Sequence, residues 1–405
     1  MVVTGLGPVT SIGVGAQAFL ESQHAARSGV GPITHFDTSR VKVKFAGEVR
    51  FDVPGQFDRK EARRLDRFSQ FALLGSKLAL EDAGLNGSEI AGERTGVIIG
   101  SGIGGMITWQ EQSRIWVEKG EDRLSPFFVP MMMENAAAAN VSMRYGLIGP
   151  SFSVVSACST GSGNIGEAYR VIQRGEADVM LTGGAEATIT AMCIGAFDNM
   201  GALSRRNDAP EKASRPFTKS RDGFVMGEGS GILILEEYER ASRRGARIYA
   251  EIIGYSTMSD AHHITAPAPG GTGLKRAMER AMAEGGIPAD KVGYVNAHGT
   301  STQLNDLSET RAIQAVFGAD TRVPVSSTKS MIGHLFGGAG ATGAIATIQA
   351  LYHGVLPPTI NHDDPDPELT LDYVPNEARE ARIDFALSNI AAFGGHNTVL
   401  AYRRI

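Results

Sequence analysis

Short β-branched apolar runs alternate with longer helical patterns along the whole chain. In the first half the runs predict strands at Val2–Thr4, Thr95–Gly100, Phe152–Ser156, Val179–Thr182 and Gly231–Glu236. In the second half they predict strands at Ala250–Tyr255, Gly293–Ala297, Val323–Ser326, Phe385–Asn389 and Thr398–Tyr402. Apolar strands that alternate with helices are typical of a largely parallel, buried sheet.

The longer patterns predict the helices that cover this sheet. They lie at Arg59–Ala83, Met106–Glu118, Asn164–Arg174, Gly273–Glu284, Asp306–Val316 and Gly340–Tyr352. Each half therefore has about five strands in a similar order, which predicts an α/β protein built from two duplicated halves. The halves meet in a polar, arginine-rich stretch at 240–247, and we expect them to span residues 1–245 and 246–405. No low-complexity linker separates them, so we expect one packed body.

Composition narrows the class of protein. The net charge of −5 gives no reason to expect nucleic acid or an anionic membrane as a partner. No apolar stretch is long enough to span a bilayer, and the first residues, 1–7, indicate a strand and turn rather than a signal peptide. Cys158 and Cys193 are the only cysteines, which excludes a disulfide framework and favours a cytoplasmic protein.

A turn of small residues carries the first candidate nucleophile. The segment Ser156–Gly163 runs from an apolar strand into a helical pattern, which places Cys158 on a sharp turn at a helix N-terminus. Free N–H groups and the positive end of the helix dipole there favour a thiolate and are able to stabilise an oxyanion on a thioester carbonyl. A buried structural cysteine is the alternative. Cys193 lies in an apolar run without such a turn and is predicted to be core.

Two histidines lie at the ends of predicted strands in the second half. His298 belongs to the segment Asn296–Thr302 and His334 to the segment Ser327–His334, and open α/β sheets place their sites at such strand ends. Small residues flank both rings and leave room for a substrate. The paired-ligand spacing of zinc sites is absent, so we favour catalysis and expect no metal.

Charged residues accompany these histidines. Lys329 precedes His334 by five residues, and a partly buried lysine needs a carboxylate partner. Glu309 is the better candidate for that partner, with Asp306 as the N-cap of the helix after the His298 loop. Two ordinary surface charges are the alternative.

Glycines mark one further loop near the C-terminus. In Phe393–Gly395 a Gly-Gly pair follows an aromatic residue, which indicates a loop that moves or exposes its N–H groups. A plain turn is the alternative.

Taken together, these segments resemble the β-ketoacyl-acyl carrier protein synthases of fatty-acid elongation, most closely the type II elongating enzymes. The resemblance covers essentially the whole chain. It is carried by Ser156–Ser159, Arg221–Phe224, Asn296–Thr300, Lys329–His334 and Phe393–Gly395. It implies the thiolase fold, in which two similar halves form five layers in the order αβαβα, and it implies a homodimer. It implies no cofactor and leaves a structural monovalent cation open.

The resemblance also implies a reaction. Cys158 accepts an acyl chain from acyl carrier protein as a thioester, and a malonyl thioester on a second carrier then loses CO2. The resulting enolate attacks the first thioester and gives a 3-oxoacyl-acyl carrier protein. His298 and His334, as neutral imidazoles, stabilise the charge that develops on the malonyl thioester oxygen. The backbone N–H groups of Cys158 and Phe393 form the second oxyanion hole.

Further roles follow from the resemblance alone. Lys329 with Glu309 corresponds to the family's supporting pair. Ile103 and Phe197 fall at positions similar to the lining of the acyl channel. Phe393, followed by Gly394, resembles the gate of that channel.

The chain departs from the family pattern in two places. The family usually has Asn-Ser-Phe-Gly-Phe-Gly-Gly where residues 389–395 read Asn-Ile-Ala-Ala-Phe-Gly-Gly. Ala391 thus replaces the first aromatic, which leaves the gating motion and the acyl-length preference open. Gln303–Asn305 replaces a Pro-x-Gly turn before Asp306, so we expect the His298 loop to sit differently.

Acyl carrier protein is acidic, so an acidic enzyme needs a local basic patch to bind it. Basic residues recur at three- and four-residue spacings and predict one helix face made of Arg59, Lys60, Arg63, Arg64 and Arg67. A solvated helix face is the alternative.

Four relatives of this fold compete with the elongating synthase. A degradative thiolase needs a second cysteine late in the chain, and none follows Cys193. An initiating synthase has asparagine where His334 stands. Polyketide ketosynthases share the Cys-His-His set and stay open as the enzyme rival. The non-catalytic chain-length partner of such synthases lacks the cysteine that stands here at Cys158.

Overall fold

The computed structural model describes residues 1–405, and it contains short and long strands in both halves of the chain. The strands are β1 Val2–Thr10, β2 Gly13–Val14, β3 Gly31–Pro32, β4 Phe45–Ala46, β5 Thr95–Gly100, β6 Ser151–Phe152, β7 Val179–Glu186, β8 Gly229–Glu236, β9 Ala250–Ser259, β10 Val292–Asn296, β11 Val325–Ser326, β12 Val355–Leu356, β13 Arg379–Glu380, β14 Phe385–Ala392 and β15 His396–Arg403. Eleven of them form the main sheet, in which ten strands lie in one row and β2 pairs with β1 beside that row.

Helices connect these strands throughout. They are α1 Ala16–His24, α2 Arg59–Ala62, α3 Arg67–Asp82, α4 Gly87–Ile90, α5 Met106–Lys119, α6 Phe128–Met132, α7 Ala136–Tyr145, α8 Thr160–Gln173, α9 Ala191–Asn199, α10 Tyr238–Arg243, α11 Thr272–Gly285, α12 Gln303–Phe317, α13 Lys329–Ile332 and α14 Ala339–His353. The alternation confirms the predicted α/β class.

The order of strands is the same in two successive sets of five. The first set runs β6-β5-β7-β8-β1 and the second runs β11-β10-β14-β15-β9. In each set the first two pairings are parallel and the last two are antiparallel. The sets join where Val2 and Val3 of β1 pair with Glu251 and Ala250 of β9.

Helices form three layers around the two sets of strands. One hydrophobic cluster unites α8 and α14 with strands of both sets, so these two helices form the middle layer. A second cluster packs α3 and α7 on the outer face of the first set. A third packs α11 and α12 on the outer face of the second. The layers follow the order αβαβα.

The middle layer explains the composition of α14. Its residues from Ala339 to Leu351 are all buried, and they are almost all small or apolar. A helix that is apolar on every side satisfies its own backbone hydrogen bonds and needs no contact with water. It therefore packs between the two sets of strands without leaving a polar backbone group unpaired.

Glycines allow β1 to lie directly on α3. A Cβ atom on Gly7 would come within 1.9 Å of the Gly75 carbonyl oxygen, and a Cβ on Gly5 within 2.2 Å of the Ala79 oxygen. Both distances are far inside van der Waals contact, so no larger residue fits at either position. This close approach fixes α3, whose N-terminal end lies beside the basic segment discussed below.

The predicted helix Arg59–Ala83 is wrong as a single element. The chain forms α2, leaves helical geometry after Arg63, and starts α3 at Arg67. Asp66 causes the break, because its carboxylate caps α3 at the Phe68 N–H and also accepts hydrogen bonds from the N–H and hydroxyl of Thr108 in α5. Sequence spacing within 59–83 carries no sign of this distant partner.

Two predicted strands are shorter than expected. Instead of Phe152–Ser156 the strand is Ser151–Phe152, and instead of Val323–Ser326 it is Val325–Ser326. Both are the outermost strands of their sets and have one pairing neighbour only. In each case the backbone turns away early to bring the next loop towards the middle of the molecule.

The β1–α3 contact predicts a stability difference between two glycine substitutions. Gly7→Ala should lower the free energy of unfolding by about 3 kcal/mol, because the new methyl group overlaps the α3 backbone. Gly195→Ala is the matched control, since Gly195 lies in α9 with no atom near its Cβ position. That change should be neutral or slightly stabilising. Urea denaturation curves measure both, and equal midpoints for the two variants would contradict the close packing.

Candidate active site

Residues from both halves of the chain surround one cavity of about 300 Å³. Cys158, His298, His334 and Phe393 all line it, although they lie far apart in the sequence. Cys158 precedes α8, His298 follows β10, and His334 follows α13. The loops at the ends of the two sets of strands thus meet at a single point.

Cys158 lies on a tight turn directly before α8. Ala157 has a φ of +52°, which is rare for a residue with a side chain, and residues Ala157–Ser159 form one 3₁₀ turn. This conformation aims the Cys158 sulfur into the cavity while leaving it almost fully buried. The backbone N–H groups of Phe393 and of Cys158 itself interact with the sulfur.

Burial of Cys158 opposes the features of this turn that were expected to favour a thiolate, and it shifts the balance towards the thiol. Burial raises the pKa of Cys158 to about 11, and the two N–H groups and the Lys329 ammonium only partly oppose it. Desolvation destabilises an anion more than these partners stabilise it. Acylation of Cys158 therefore includes loss of the sulfur proton.

Glu309 holds the loop that carries His298. Its two carboxylate oxygens accept hydrogen bonds from the N–H groups of His298 and Gly299, both at 2.8 Å. Glu309 and Lys329 share no ion pair within 4.0 Å, yet they act on each other through their charges: among the groups that raise the pKa of Lys329, the Glu309 carboxylate has the largest effect. This carboxylate also anchors the backbone on which the His298 ring is mounted.

His334 is fixed on several sides. Its Nδ1 accepts a hydrogen bond from the Phe336 N–H at 3.1 Å, so the proton of the neutral ring is on Nε2. Its backbone N–H donates to the Val225 carbonyl at 2.7 Å. The ring stacks on Phe336 with centroids 4.8 Å apart and meets Phe224 edge to face.

The two imidazoles face each other across a short gap. Their ring centroids are 5.3 Å apart and nearly perpendicular. Burial lowers the pKa of both rings well below the ordinary value, and the Lys329 ammonium lowers it further. Both rings are therefore neutral at neutral pH. Nδ1 of His298 is buried without a hydrogen-bond partner.

Lys329 is the one buried cation close to these groups. Only 4% of its surface is exposed, and burial lowers its pKa while Glu309, Cys158 and Asp306 act in the opposite direction. The nearby negative groups are thus not salt-bridge partners but contributors to a shared field. This field favours negative charge on Cys158 and disfavours positive charge on the histidines.

Asp306 is not the helix N-cap that the sequence predicts. α12 begins at Gln303, with Thr302 in the capping position, so Asp306 lies within the first turn. Its carboxylate is completely buried and accepts a hydrogen bond from the Phe217 N–H at 2.9 Å. The Arg221 guanidinium lies 3.7 Å away. Asp306 therefore ties the start of α12 to the chain around Phe217.

The unusual segment Gln303–Asn305 forms the first residues of α12 and lines the cavity. The Gln303 side-chain amide donates to the Arg221 carbonyl at 2.5 Å, and the Arg221 guanidinium donates back to the Gln303 carbonyl at 3.1 Å. These reciprocal bonds hold the segment where a proline turn usually stands in the family. Leu304 is 62% exposed at the cavity.

Ile103 and Phe197 do not line the cavity. Both are half-buried and pack against the apolar cluster that contains Cys158. The Phe197 ring stacks on Phe336 with centroids 5.1 Å apart. The residues assigned to the acyl channel thus belong to the same apolar cluster as the sulfur but lie outside the cavity wall.

Phe393–Gly395 is the turn of the hairpin between β14 and β15. Gly394 and Gly395 have φ values of +80° and +71°, which explains the Gly-Gly pair. The Gly394 N–H donates to the Ile264 carbonyl at 2.7 Å. Phe393 lines the cavity, and so does Ala391, the residue that replaces the family's first aromatic.

The predicted basic face is only partly exposed. Arg59, Lys60, Arg63 and Arg64 surround a surface depression together with Phe127. Arg67 is not part of this group, which corrects the prediction. Its guanidinium turns inward and donates two hydrogen bonds to the buried carboxylate of Glu228, at 2.9 and 2.7 Å.

The sequence missed two threonines of the cavity wall. Thr300 and Thr302 line the cavity, and their hydroxyl oxygens lie 2.8 Å apart. Their Thr-Ser-Thr spacing beside His298 is the signal that could have found them. Ser301 between them has a φ of +68°, so the two hydroxyls meet at a turn of the loop. They offer polar contacts near the mouth of an otherwise largely apolar space.

No group of three or more His, Cys, Asp or Glu side chains is arranged to hold a metal ion. None of the helices is both long enough and apolar enough to cross a membrane.

Comparison with known proteins places this geometry in a family. Residues 1–241 match the Beta-ketoacyl synthase, N-terminal domain, and residues 249–363 match the Beta-ketoacyl synthase, C-terminal domain. The chain is 50% identical to 3-oxoacyl-[acyl-carrier-protein] synthase 2 of Synechocystis sp. over 100% of its length and 98% of the relative's.

Solved structures agree. A beta-ketoacyl synthase from Burkholderia phymatum superposes with a TM-score of 0.93 at 38% identity, covering 100% of this chain and 99% of that one. A ketosynthase solved in complex with its type II PKS acyl-carrier protein gives 0.92 at 35% identity, with coverage of 100% and 99%. These neighbours confirm the thiolase-like fold that the resemblance implied. The chain belongs to the beta-ketoacyl synthase family.

Proposed function

We propose that the protein condenses an acyl chain, held as a thioester on Cys158, with malonyl-acyl carrier protein in fatty-acid elongation. The products are 3-oxoacyl-acyl carrier protein and CO2. One observation carries the proposal: a buried thiol and two neutral imidazoles share a single cavity. A cofactor has no role in the steps below.

The first step transfers the acyl chain from its carrier to Cys158. The sulfur attacks the carrier thioester, a new carbon–sulfur bond forms, and the carrier sulfur leaves. The thiol proton passes to the departing carrier thiolate, so no charge remains in the cavity once the step is complete. The carbonyl oxygen becomes negative in the intermediate, and the N–H groups of Cys158 and Phe393 are placed to stabilise it.

The second step makes the carbon nucleophile. The bond between the malonyl carboxylate and its neighbouring carbon breaks, CO2 leaves, and the electron pair moves into the enolate of the thioester. The enolate oxygen needs hydrogen-bond donors. The Nε2–H of His334 is available because its Nδ1 is occupied by the Phe336 N–H. His298 supplies the second donor across the 5.3 Å gap.

The third step joins the two units. The enolate carbon attacks the thioester on Cys158, and the tetrahedral oxyanion again faces the N–H groups of Cys158 and Phe393. Collapse breaks the carbon–sulfur bond and releases the Cys158 thiolate, which takes a proton from solvent. Lys329 supports this release, because its positive charge favours the anion.

Fatty-acid elongation is favoured over polyketide synthesis. The Synechocystis relative with 50% identity is named for 3-oxoacyl-[acyl-carrier-protein] synthesis, whereas the type II PKS ketosynthase has 35% identity. A non-catalytic chain-length partner is disfavoured, since the nucleophilic cysteine is present and buried at the cavity. Polyketide condensation is the second candidate, supported by the TM-score of 0.92.

The carrier is expected to dock on Arg59, Lys60, Arg63 and Arg64. These side chains surround an open depression, and the Arg64 guanidinium lies 4.7 Å above the Phe127 ring. A group of cations beside an exposed aromatic ring suits an acidic helical partner. The solved complex of a relative with its acyl-carrier protein supports a carrier as the partner.

Three assignments from the sequence stay proposals. The repeated strand order supports two halves, 1–245 and 246–405. The edge strand β6 with its exposed Phe152 supports a homodimer formed by pairing of two such edges. A cytoplasmic location is proposed from the two unpaired cysteines.

The thiol state predicts how Cys158 alkylation varies with pH. The rate with iodoacetamide should rise about tenfold per pH unit between pH 7 and 9, because the thiolate fraction rises in proportion below a pKa of about 11. Lys329→Ala should slow it most near pH 7 and less towards pH 9, because burial lowers the pKa of Lys329 to about 8 and the favourable charge is lost as the pH rises. Timed labelling with peptide mass mapping measures both, with Cys193→Ala as the control. A plateau below pH 8 would show that the resting residue is already a thiolate.

Loss of one imidazole should impair the second step most. His334→Ala should lower the rate of malonyl-acyl carrier protein decarboxylation about a hundredfold, since one donor to the enolate oxygen is gone. Acylation of Cys158 should fall much less. Radiolabelled CO2 release and mass spectrometry of the acyl-enzyme separate the two steps. His353→Ala, at an exposed ring at the end of α14, is the control and should change neither rate.

Charge reversal tests the docking group. The double variant R63E/R64E should raise the KM for acyl carrier protein at least tenfold, more at low salt than at high salt, with kcat little changed. Arg280→Glu reverses an exposed arginine on α11 that lines neither depression, and should leave the KM unchanged. Equal KM values for the double variant and wild type would remove these residues from the docking site.

A further inference from the structure

A buried carboxylate close to the cavity has no role in the steps above. Glu186 is the last residue of β7 and is completely buried, and no cation pairs with it. Its Oε1 accepts a hydrogen bond from the Ser101 hydroxyl at 2.5 Å. Its Oε2 accepts from the N–H groups of Gly102 at 2.9 Å and of Gly337 at 3.0 Å. A buried carboxylate without a cationic partner costs free energy, and the three hydrogen bonds offset part of this cost. The elements that supply these three donors indicate what Glu186 does.

The first two donors belong to the turn that carries Ile103. The Ser101 hydroxyl oxygen accepts a further hydrogen bond from the Gly104 N–H at 2.8 Å, so one side chain closes the whole turn. Gly102 packs against the turn of the nucleophile, because a Cβ there would lie 2.8 Å from the Ala157 carbonyl oxygen. Glu186 thereby fixes the Ile103 turn against the Cys158 turn.

The third donor belongs to the turn that orients His334. Gly337 follows Phe336, whose N–H donates to Nδ1 of His334 and whose ring stacks on the imidazole. Phe336 has a φ of +43°, a conformation that a bulky residue adopts only when its surroundings impose it. The bond from Gly337 to Glu186 is the next contact along the chain and holds this turn in place.

We infer that Glu186 is a positioning residue for the condensation: it holds the Phe336–Gly338 turn so that Nε2–H of His334 points at the enolate oxygen. The same carboxylate keeps the Ile103 turn packed behind Cys158. It touches no reacting atom and acts through Gly337 and Gly102. This inference rests on the proposed function, because only that function gives the direction of the His334 N–H a consequence.

Two substitutions of Glu186 separate the loss of a hydrogen-bond acceptor from the loss of a negative charge. Burial raises the pKa of Glu186 to about 7, although the three hydrogen-bond donors act in the opposite direction. The uncharged form of the side chain is therefore close in free energy to the ionised form near neutral pH. Glutamine keeps an oxygen for Gly102 and Gly337 at nearly the same size. Leucine has a similar size and no acceptor at all.

The test compares Glu186→Gln, Glu186→Leu and wild type in two measurements. Condensation with acyl and malonyl carrier thioesters gives kcat and the KM for malonyl-acyl carrier protein. Hydrogen exchange followed by mass spectrometry reports the amide of Gly337 in the peptide around residues 334–338. Ser101→Ala is the second variant, since it removes one donor and the closing bond of the Ile103 turn while leaving Gly337 bonded.

Glu236→Gln is the matched control. Glu236 is also a fully buried glutamate at a strand end, but it pairs with Val179 at the opposite end of β7 and binds Arg244 there. Its substitution should affect unfolding temperature without changing kcat. It shows what loss of a buried carboxylate does to this fold when the site is untouched.

We expect Glu186→Leu to lower kcat by about tenfold to a hundredfold with the KM nearly unchanged, and to speed exchange at Gly337. Glu186→Gln should retain kcat within about threefold and protect Gly337, as rescue by a conservative acceptor. Ser101→Ala should fall between them in kcat without faster exchange at Gly337.

An unchanged kcat in Glu186→Leu, or an equal loss in Glu186→Gln, overturns the inference. Absence of condensation in wild type would instead refute the proposed function, and the exchange data would still show whether the Glu186 contact exists.

Discussion

Exclusion of water sets the charge of Cys158, His298 and His334, and the proposed reaction depends on this. The same desolvation that keeps Cys158 a thiol also keeps both imidazoles neutral. A neutral imidazole donates a hydrogen bond to a developing oxyanion without pairing permanently with the thiolate beside it. Lys329 is placed to bias this balance, since its charge opposes protonation of the rings and favours the anionic sulfur. The site thus avoids a stable thiolate–imidazolium pair and keeps both partners free for carbon chemistry.

The duplicated architecture explains how these groups meet. The loops at the ends of both sets of five strands meet at the cavity. The shared middle layer of α8 and α14 holds the two sets in a fixed relation. The nucleophile comes from the first set, at the start of α8. Both histidines come from the second. Contacts that cross between the sets then tighten the junction, as in the hydrogen bond from the Gly337 N–H to Glu186 of β7.

The sequence predicted what depends on local pattern. Apolar runs ending in small residues located Cys158, His298 and His334, because strand ends converge in this class of fold. Residues whose roles depend on distant partners were misjudged. Arg67 fits a helical basic face in the sequence, yet its partner Glu228 lies 161 positions away and draws it inward. Glu309 was assigned to Lys329 by charge, whereas backbone N–H groups of the His298 loop satisfy it.

The two departures from the family pattern have different structural consequences. Gln303 replaces a proline turn, but its reciprocal hydrogen bonds with Arg221 hold the start of α12. Ala391 removes an aromatic ring from the wall of the cavity without removing support from the gate loop. That loop depends on the hairpin register of β14 and β15, on two glycines with positive φ, and on the bond between Gly394 and Ile264. Its position is therefore set by backbone geometry, and the substitution acts on the shape of the space that the acyl chain enters.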